Sequence, residues 1–293
     1  MTIPAFVNPE SGSADGALAA LERAGGFAVR QARAGELTDL LRQEVALGTP
    51  RVIVAGGDGT VATAAASLAG TPVAIAVLPG GTLNHFARNH GIPTEPWPAL
   101  ELATNGVVGR VDVAYVNEEL FINTCSVGAY TRYIRTRERV EPALGYWMAS
   151  LVAGLRVLLT LRPIVVGLGT GSEAHRYVSP LVFVGVGERK LGIPGLGRPE
   201  PNGGRGLHVI VPRGRRQARR LVGRYQHLDD GPRAGPRPPG VDSALVDRLR
   251  VVLDGPSAEV ALDGEVRRIR SPLEFRIAYG TLRVVTGGSG GVT

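Results

Sequence analysis

Apolar residues in the first hundred positions come as short runs separated by stretches of helical spacing. Ile3 to Val7 is an apolar run that stops at Asn8-Pro9. From Ala14 to Ala24, Leu18 and Leu21 share one helical face. Phe27 to Ala32 predicts a strand, and Glu36 to Leu47 a helix with Leu37, Leu40, Leu41 and Val45 apolar. Arg51 to Ala55 predicts a strand, Val61 to Leu68 a helix and Val73 to Leu78 a strand. Strands alternating with helices imply a parallel sheet covered on both faces. In such sheets ligands bind beyond the carboxyl ends of the strands.

The pattern changes after about Asp112. Short β-branched runs follow one another: Leu120 to Asn123, Ile164 to Leu168, Tyr177 to Val186, Leu207 to Val211, Leu249 to Leu253, Ala258 to Leu262, Phe275 to Ala278 and Leu282 to Val285. Glycine and proline punctuate them, as in an antiparallel sandwich or barrel. One helix-like insert, Leu144 to Leu161, interrupts the series. Asp229 to Asp242 is rich in proline and glycine without a period and reads as a loop. The expected organisation is an α/β domain over 1–115 and an antiparallel β-sandwich domain over 116–293, the last strand being free to return to the first domain. No internal repeat is evident.

Three glycine-bearing turns fall at the ends of predicted parallel strands: Asn8-Pro9-Glu10-Ser11-Gly12, Gly56-Gly57-Asp58-Gly59-Thr60 and Pro79-Gly80-Gly81-Thr82-Leu83-Asn84. Glycine lets backbone N–H groups approach a phosphate, and a following helix N-terminus adds its dipole. A single such turn is an ordinary strand-to-helix connection. Three in register, with one Asp and the hydroxyls of Thr60 and Thr82, point to a phosphate-binding edge. GxxxxGK[ST] is absent, and no GxGxxG opens the first helix, which excludes the P-loop and the Rossmann dinucleotide fingerprint. Gly167-Leu168-Gly169-Thr170-Gly171 stands between strand-like runs and reads as a hairpin turn.

GGDGT at 56–60, PGGTLNHFAR at 79–88 and LDGE at 262–265 resemble the diacylglycerol kinase catalytic-domain family of lipid kinases, which is related to sphingosine kinases and NAD kinases. NPESG at 8–12 is similar to that family's first-strand turn. Gly91-Ile92-Pro93, Val111-Asp112-Val113 and Phe121-Ile122-Asn123 follow in its usual order, so the resemblance covers nearly the whole chain. GGDGT alone is shared with the NAD and sphingosine kinases; together with GTLN and a late DGE it is more specific.

The resemblance implies an α/β domain and a β-sandwich with ATP in the cleft between them, and transfer of the γ-phosphoryl group to the hydroxyl of diacylglycerol or a similar lipid. It implies that Gly56, Gly57, Asp58, Gly59, Thr60, Gly81, Thr82 and Asn84 line the nucleotide, with Asn8 nearby. It implies Glu265 as general base and Asp58 as an acidic residue beside the phosphates, with Asp263 a further catalytic candidate. Mg²⁺ is the expected cofactor, arriving with ATP, and Asp58 and Asp263 are its candidate ligands. General chemistry agrees. Phosphoryl transfer needs positioning, charge neutralisation and a carboxylate to take the hydroxyl proton. Asp263 and Glu265, two apart on a strand, would share a face unless Gly264 makes a turn.

The chain also departs from the family's pattern. His85 follows the GTLN asparagine where many relatives have Asp. Ala32 ends the second strand where relatives often have threonine. Gly204-Arg205 stands in place of an Asp-Gly that belongs to an accessory magnesium site in some members, so that site is expected to be absent. Gly185-Val186 replaces a Gly-Asn.

Composition narrows the partners. The 293 residues carry 33 Lys plus Arg against 26 Asp plus Glu, a net charge of +7, and Lys190 is the sole lysine. Such charge suits an anionic partner or a solvated surface. Arg132, Arg135, Arg137 and Arg139 form one cluster, and Arg213, Arg215, Arg216, Arg219, Arg220 and Arg224 another. Beside the apolar run Ala149 to Leu161, led by Tyr146, Trp147 and Met148, they suggest peripheral contact with an anionic membrane. Arg156 and Arg162 divide that region into pieces shorter than the ~20 residues of a span. No nucleic-acid motif accompanies the arginines, so nucleic acid is not an expected partner. One cysteine, Cys125, excludes an internal disulfide, and no leader opens the chain; both fit a cytoplasmic protein. A homodimer stays open. Two alternatives stand beside the lipid kinase: an NAD kinase-like enzyme on a soluble substrate, and a non-catalytic lipid- or nucleotide-binding regulator.

Overall fold

A computed structural model describes residues 2–159, 164–169, 175–190, 198–200, 202–212 and 241–287. The chain divides into two compact units. The first holds Met1–Val113, Glu119–Asn123 and Ala278–Thr293; the second holds Ala114–Glu118 and Thr124–Ile277.

The first unit contains β1 (Ile3–Val7), α1 (Ala14–Ala24), β2 (Phe27–Gln31), α2 (Ala34–Ala46), β3 (Arg51–Gly56), α3 (Asp58–Leu68), β4 (Ala74–Pro79), α4 (His85–Asn89), α5 (Pro96–Asn105), most of β5 (Val107–Val116) and β6 (Glu119–Phe121). Its strands run in the order β2-β1-β3-β4, all parallel. β4 also pairs in parallel with the end of the chain's last strand, through Ile75 and Val284. Alternation sorts the strand residues onto two covered faces. Ala5, Val7, Ile53, Ala55, Ala76 and Leu78 pack with Ala14, Ala17 and Leu21 of α1 and Ala99, Leu100 and Ala103 of α5. The intervening Phe6, Val52, Val54, Ile75 and Val77 are equally buried. α2 and α3 bury Leu37 and Leu41, and Val61, Ala64, Ala65 and Leu68. The alanines let helices sit close to the sheet, which is how a chain with few aromatics builds a dense core.

α5 was not evident from the pattern, because two prolines stand at its start. Pro96 occupies its first position, where the missing N–H costs nothing. Its far end is capped from a distance: Arg51 donates to the carbonyl oxygens of Ala103, Thr104 and Gly106 at 2.8, 2.7 and 3.1 Å.

The second unit contains β7 (Thr124–Gly128), α6 (Ala129–Leu159), β8 (Ile164–Gly169), β9 (His175–Ser179), β10 (Leu181–Val186), β11 (Leu207–Pro212), β12 (Val241–Val246), β13 (Arg248–Leu253), β14 (Ser257–Leu262), β15 (Glu265–Arg270) and the start of β16 (Leu273–Thr286). A six-stranded antiparallel sheet runs β12-β11-β10-β7-β14-β15. A second antiparallel set joins β9, β8, β13 and the first residues of β16. The expected α/β and antiparallel β architectures are both present.

Several expectations are corrected. Tyr177 to Val186 is two strands, because Pro180 cannot donate to a ladder; β9 and β10 lie in different sheets. Phe275 to Ala278 and Leu282 to Val285 are one strand, β16, which accommodates Gly280 at φ 58°. The helix predicted from Leu144 begins at Ala129. Residues 132–141 are so charged that an apolar period is hardly visible there, although Ile134 is buried. α6 leaves helical geometry at Gly145 (φ 71°, ψ 165°). Gly167 and Gly169 lie in β8, which pairs antiparallel with β9, and Thr170 and Gly171 of the expected hairpin turn lie outside the described residues. The loop expected over 229–242 lies outside the described residues up to 240, and Val241 and Asp242 open β12.

Candidate functional site

The three glycine turns follow β1, β3 and β4 and lie together at the carboxyl edge of the parallel sheet. The Asn8 N–H donates to the Ala55 oxygen at 2.9 Å, while its Oδ1 accepts from the Glu10 N–H at 3.0 Å. Its Nδ2 donates to Thr60 Oγ1 at 2.9 Å, so Asn8 ties the first turn to the start of α3. Gly80 N–H donates to the Gly56 oxygen at 2.8 Å. A Cβ on Gly56 would stand 2.6 Å from the Thr60 side chain, and one on Gly81 would stand 2.8 Å from the Gly57 Cα. Gly81 therefore lets its loop approach the Gly57 backbone, and Gly56 leaves room for Thr60 within its own turn, constraints separate from any approach of a ligand.

Asn84 occupies the left-handed region (φ 49°, ψ 47°) and folds its amide back on Gly81. Gly81 N–H donates to Asn84 Oδ1 at 2.8 Å, and Asn84 Nδ2 donates to the Gly81 oxygen at 2.7 Å. Asp58 Oδ1 accepts from the Phe86 N–H at 3.2 Å, fixing the first turn of α4 against the first turn of α3. Asn8 with Thr60, and Asp58 with Phe86, thus tie separate segments together, Asn84 closes its own turn, and Thr82 and His85 are exposed. Asp58, Gly59 and Thr60 form the first turn of α3, whose N–H groups have no partner within the helix. Unpartnered N–H groups at a helix start, together with the helix dipole, suit an anion. Ala32 is buried, its N–H donating to the Val7 oxygen at 2.9 Å.

In the second unit, LDGE forms a two-residue hairpin. Leu262 pairs with Glu265, and Asp263 (φ 48°) and Gly264 (φ 97°) make the turn. Asp263 and Glu265 therefore do not share a strand face. Asp263 is clasped by β7: its N–H donates to the Thr124 oxygen at 2.8 Å and its Oδ1 accepts from the Thr124 N–H at 2.9 Å. Glu265 is exposed and accepts from Arg267 at 3.2 Å. Next to Thr124, Cys125 is fully buried; burial first, and the charge of Asp263 second, push its thiol pKa well above the ordinary value. Gly204 N–H donates to Glu188 Oε2 at 2.8 Å. Among the described residues no three His, Cys, Asp or Glu side chains gather as a metal site.

Arg135 pairs with Glu259 at 2.7 Å and Arg137 with Glu141 at 3.4 Å, so these arginines of the first cluster are engaged within the protein. Arg139 is exposed. The second cluster, 213–224, and the side chains of Tyr146 and Trp147 lie outside the described residues. Sequence reasoning missed Arg189, which is buried, and whose pKa burial lowers to about 10 against the opposing charge of Asp263. Its only signal was an arginine just after an apolar strand.

Residues 2–116 match the family model described as the diacylglycerol kinase catalytic domain, which takes in all three loops. A protein of Klebsiella pneumoniae (strain 342) named "Probable lipid kinase YegS-like" is 34% identical over 160 residues, 48% of this chain and 54% of that protein. "Probable lipid kinase YegS" of Escherichia fergusonii is 37% identical over 163 residues, 48% of this chain and 53% of that protein. The chain spans about half the length of the curated relatives it matches. Similarity of fold extends further. A diacylglycerol kinase crystal structure from Bacillus anthracis str. Sterne superposes with TM-score 0.72 at 19% identity, covering 99% of this chain and 98% of that one. An NAD kinase from Archaeoglobus fulgidus, solved with ATP, superposes with TM-score 0.54 at 15% identity, covering 98% and 94%.

Proposed function

We propose that the chain is an ATP-dependent lipid kinase that transfers the γ-phosphoryl group to the hydroxyl of diacylglycerol or a similar lipid. The observation that carries this reading is the set of three interlocked turns at the carboxyl edge of the sheet, opening onto the first turn of α3. In the proposed reaction the α3 amides and the rim around Thr82 receive the phosphates. Asp58, beside them, would hold Mg²⁺ brought with the nucleotide. A single carboxylate suits a cation that keeps its phosphate ligands. Mg²⁺ supplies neutralisation of charge on the phosphate oxygens. Glu265, exposed on its hairpin, accepts the hydroxyl proton, and the Asp263–Thr124 clasp fixes the turn that presents it.

Contact with an anionic membrane surface belongs to the same proposal. After the break at Gly145, α6 exposes Met148, Leu151, Val152 and Leu155 along one face, Leu151 being 64% exposed. Arg139 and Arg156 are exposed nearby in sequence. Among the described residues no helix is long and apolar enough to cross a membrane. Shallow insertion of this face, with arginines on anionic headgroups, would bring a cytoplasmic enzyme to its substrate.

The test is a panel assay with γ-labelled ATP and Mg²⁺, offering diacylglycerol and related single-hydroxyl lipids, with NAD in a separate reaction. Label in an organic-extractable phospholipid supports the proposal. Label in NADP alone would move the protein to the soluble-substrate alternative, and no transfer to any acceptor would favour a regulator.

A further inference from the structure

His208, Gly185, Thr124 and Asp263 form one row across the six-stranded sheet. His208 is the register partner of Gly185, and Gly185 of Thr124. Asp263 stands one step beyond Leu262, the partner of Cys125, and exchanges its two hydrogen bonds with Thr124. The row lacks a side chain at Gly185, and Arg189 occupies that space. A Cβ on Gly185 would lie 2.8 Å from Arg189 Cδ and 3.0 Å from its Nε.

Arg189 is held at both ends. Its main-chain N–H donates to His208 Nδ1 at 2.9 Å. Nδ1 is then the acceptor of the ring, so the neutral imidazole carries its proton on Nε2, facing Ser243 Oγ at 2.7 Å. Its Nε donates to the Val186 oxygen at 3.0 Å. The guanidinium is therefore laid over Gly185, beside the strand whose Thr124 grips Asp263. A buried arginine is costly unless an anion compensates it. The charge of Asp263 acts on it favourably, against the effect of burial.

We propose that Arg189 is a positioning residue for the Asp263–Gly264–Glu265 turn, and that Gly185 is small so that the arginine can lie across the row. Its effect on turnover rests on the lipid kinase reading; its effect on the turn rests on geometry alone. The arginine compensates one carboxylate of a turn that carries two, which keeps Asp263 on the Thr124 amide while Glu265, paired with Arg267 at the surface, stays exposed to take a proton.

The experiment measures amide exchange by NMR and, where label transfer is found, steady-state kinetics on the full chain, in Arg189→Met, Arg189→Lys and Gly185→Ala. In Arg189→Met, exchange at the Thr124 amide should rise at least ~10-fold while the amides of β10 and β11 hold, as expected when a charged hydrogen bond loses its support. Turnover should fall roughly 10–100-fold with the KM for ATP changed less than about twofold, the mark of a misplaced group rather than a lost binding contact. Arg189→Lys should recover part of both effects. Gly185→Ala should reproduce them without altering charge. Unchanged Thr124 exchange in Arg189→Met and Gly185→Ala would overturn the proposal. So would a uniform loss of protection across the sheet in both, which would make Arg189 a core filler only. If the parent protein transfers no label, the exchange result alone decides, so the two readings fail separately.

Discussion

Gly81 packs against Gly57 backbone to backbone, so that a Cβ on Gly81 would lie 2.8 Å from the Gly57 Cα. Neither loop can yield by rotating a side chain. Gly81→Ala should push the β4 loop off the start of α3. The expected cost is about 1–3 kcal/mol, read as a lowered urea midpoint, as for other overpacked sites. ATP affinity by calorimetry should fall as well, because the α3 amides lose their frame. A parent-like midpoint and affinity would show that the loops slide past one another freely.

The two carboxylates of the LDGE hairpin have different surroundings, and their variants should separate. Glu265→Gln removes an exposed group, so folding should persist while turnover falls at least ~100-fold, as for loss of a general base. Asp58→Asn should lower turnover by a similar ~100-fold through loss of charge beside the phosphates. Near-parental turnover in Glu265→Gln, with a large loss in Asp263→Asn, would move the base to Asp263.

Much of the first unit was legible because its strands and helices obey simple periods: Ile53 and Ala55 face one way, Val52 and Val54 the other. The interlocked turns carry recognisable motifs, but in the sequence their glycines signal only close approach to a ligand. The Gly57–Gly81 contact between distant segments leaves no local signature. The pair Asp263-Gly264 did carry its turn signal, and only the structure shows Thr124 closing on it. Pro180 could have divided Tyr177 to Val186, since proline cannot sit within a ladder. The start of α6 was hidden because a helix charged on most sides shows little apolar period. A single arginine after a strand, as Arg189 is, reads as surface until Gly185 is seen beneath it.

Cys125 offers a test of the core of the second unit. Its thiol pKa is raised chiefly by burial. The native state therefore holds the thiol proton more tightly than the unfolded chain does. That stabilisation is intact below the unfolded pKa of about 8.5 and is lost as pH rises above it towards the native value. The native protein should not react with a thiol reagent at pH 8, and full reaction should accompany unfolding. Cys125→Ala should flatten the alkaline loss of stability. Prompt labelling of the native protein would contradict the burial.

Vesicle binding should depend on the exposed face of α6. Replacing Met148, Leu151 and Leu155 with serine should weaken binding to anionic vesicles and leave ATP affinity unchanged. Salt should weaken parental binding as well, since surface charges are screened beyond about 8 Å at physiological ionic strength. Reversing Arg132, Arg135 and Arg139 to glutamate should act mainly through Arg139, because Arg135 is already paired with Glu259. Equal binding to neutral and anionic vesicles, unaffected by either set, would show a solvated face without membrane contact.

The central claim is tested most directly by stoichiometry in one reaction. With diacylglycerol in mixed vesicles, Mg²⁺ and γ-labelled ATP, each ADP released should be matched by one labelled phospholipid in the organic phase. Asp58→Asn should reduce both together. ADP released without labelled lipid, or labelled lipid undiminished in Asp58→Asn, would contradict phosphoryl transfer to a lipid hydroxyl from the site at the start of α3.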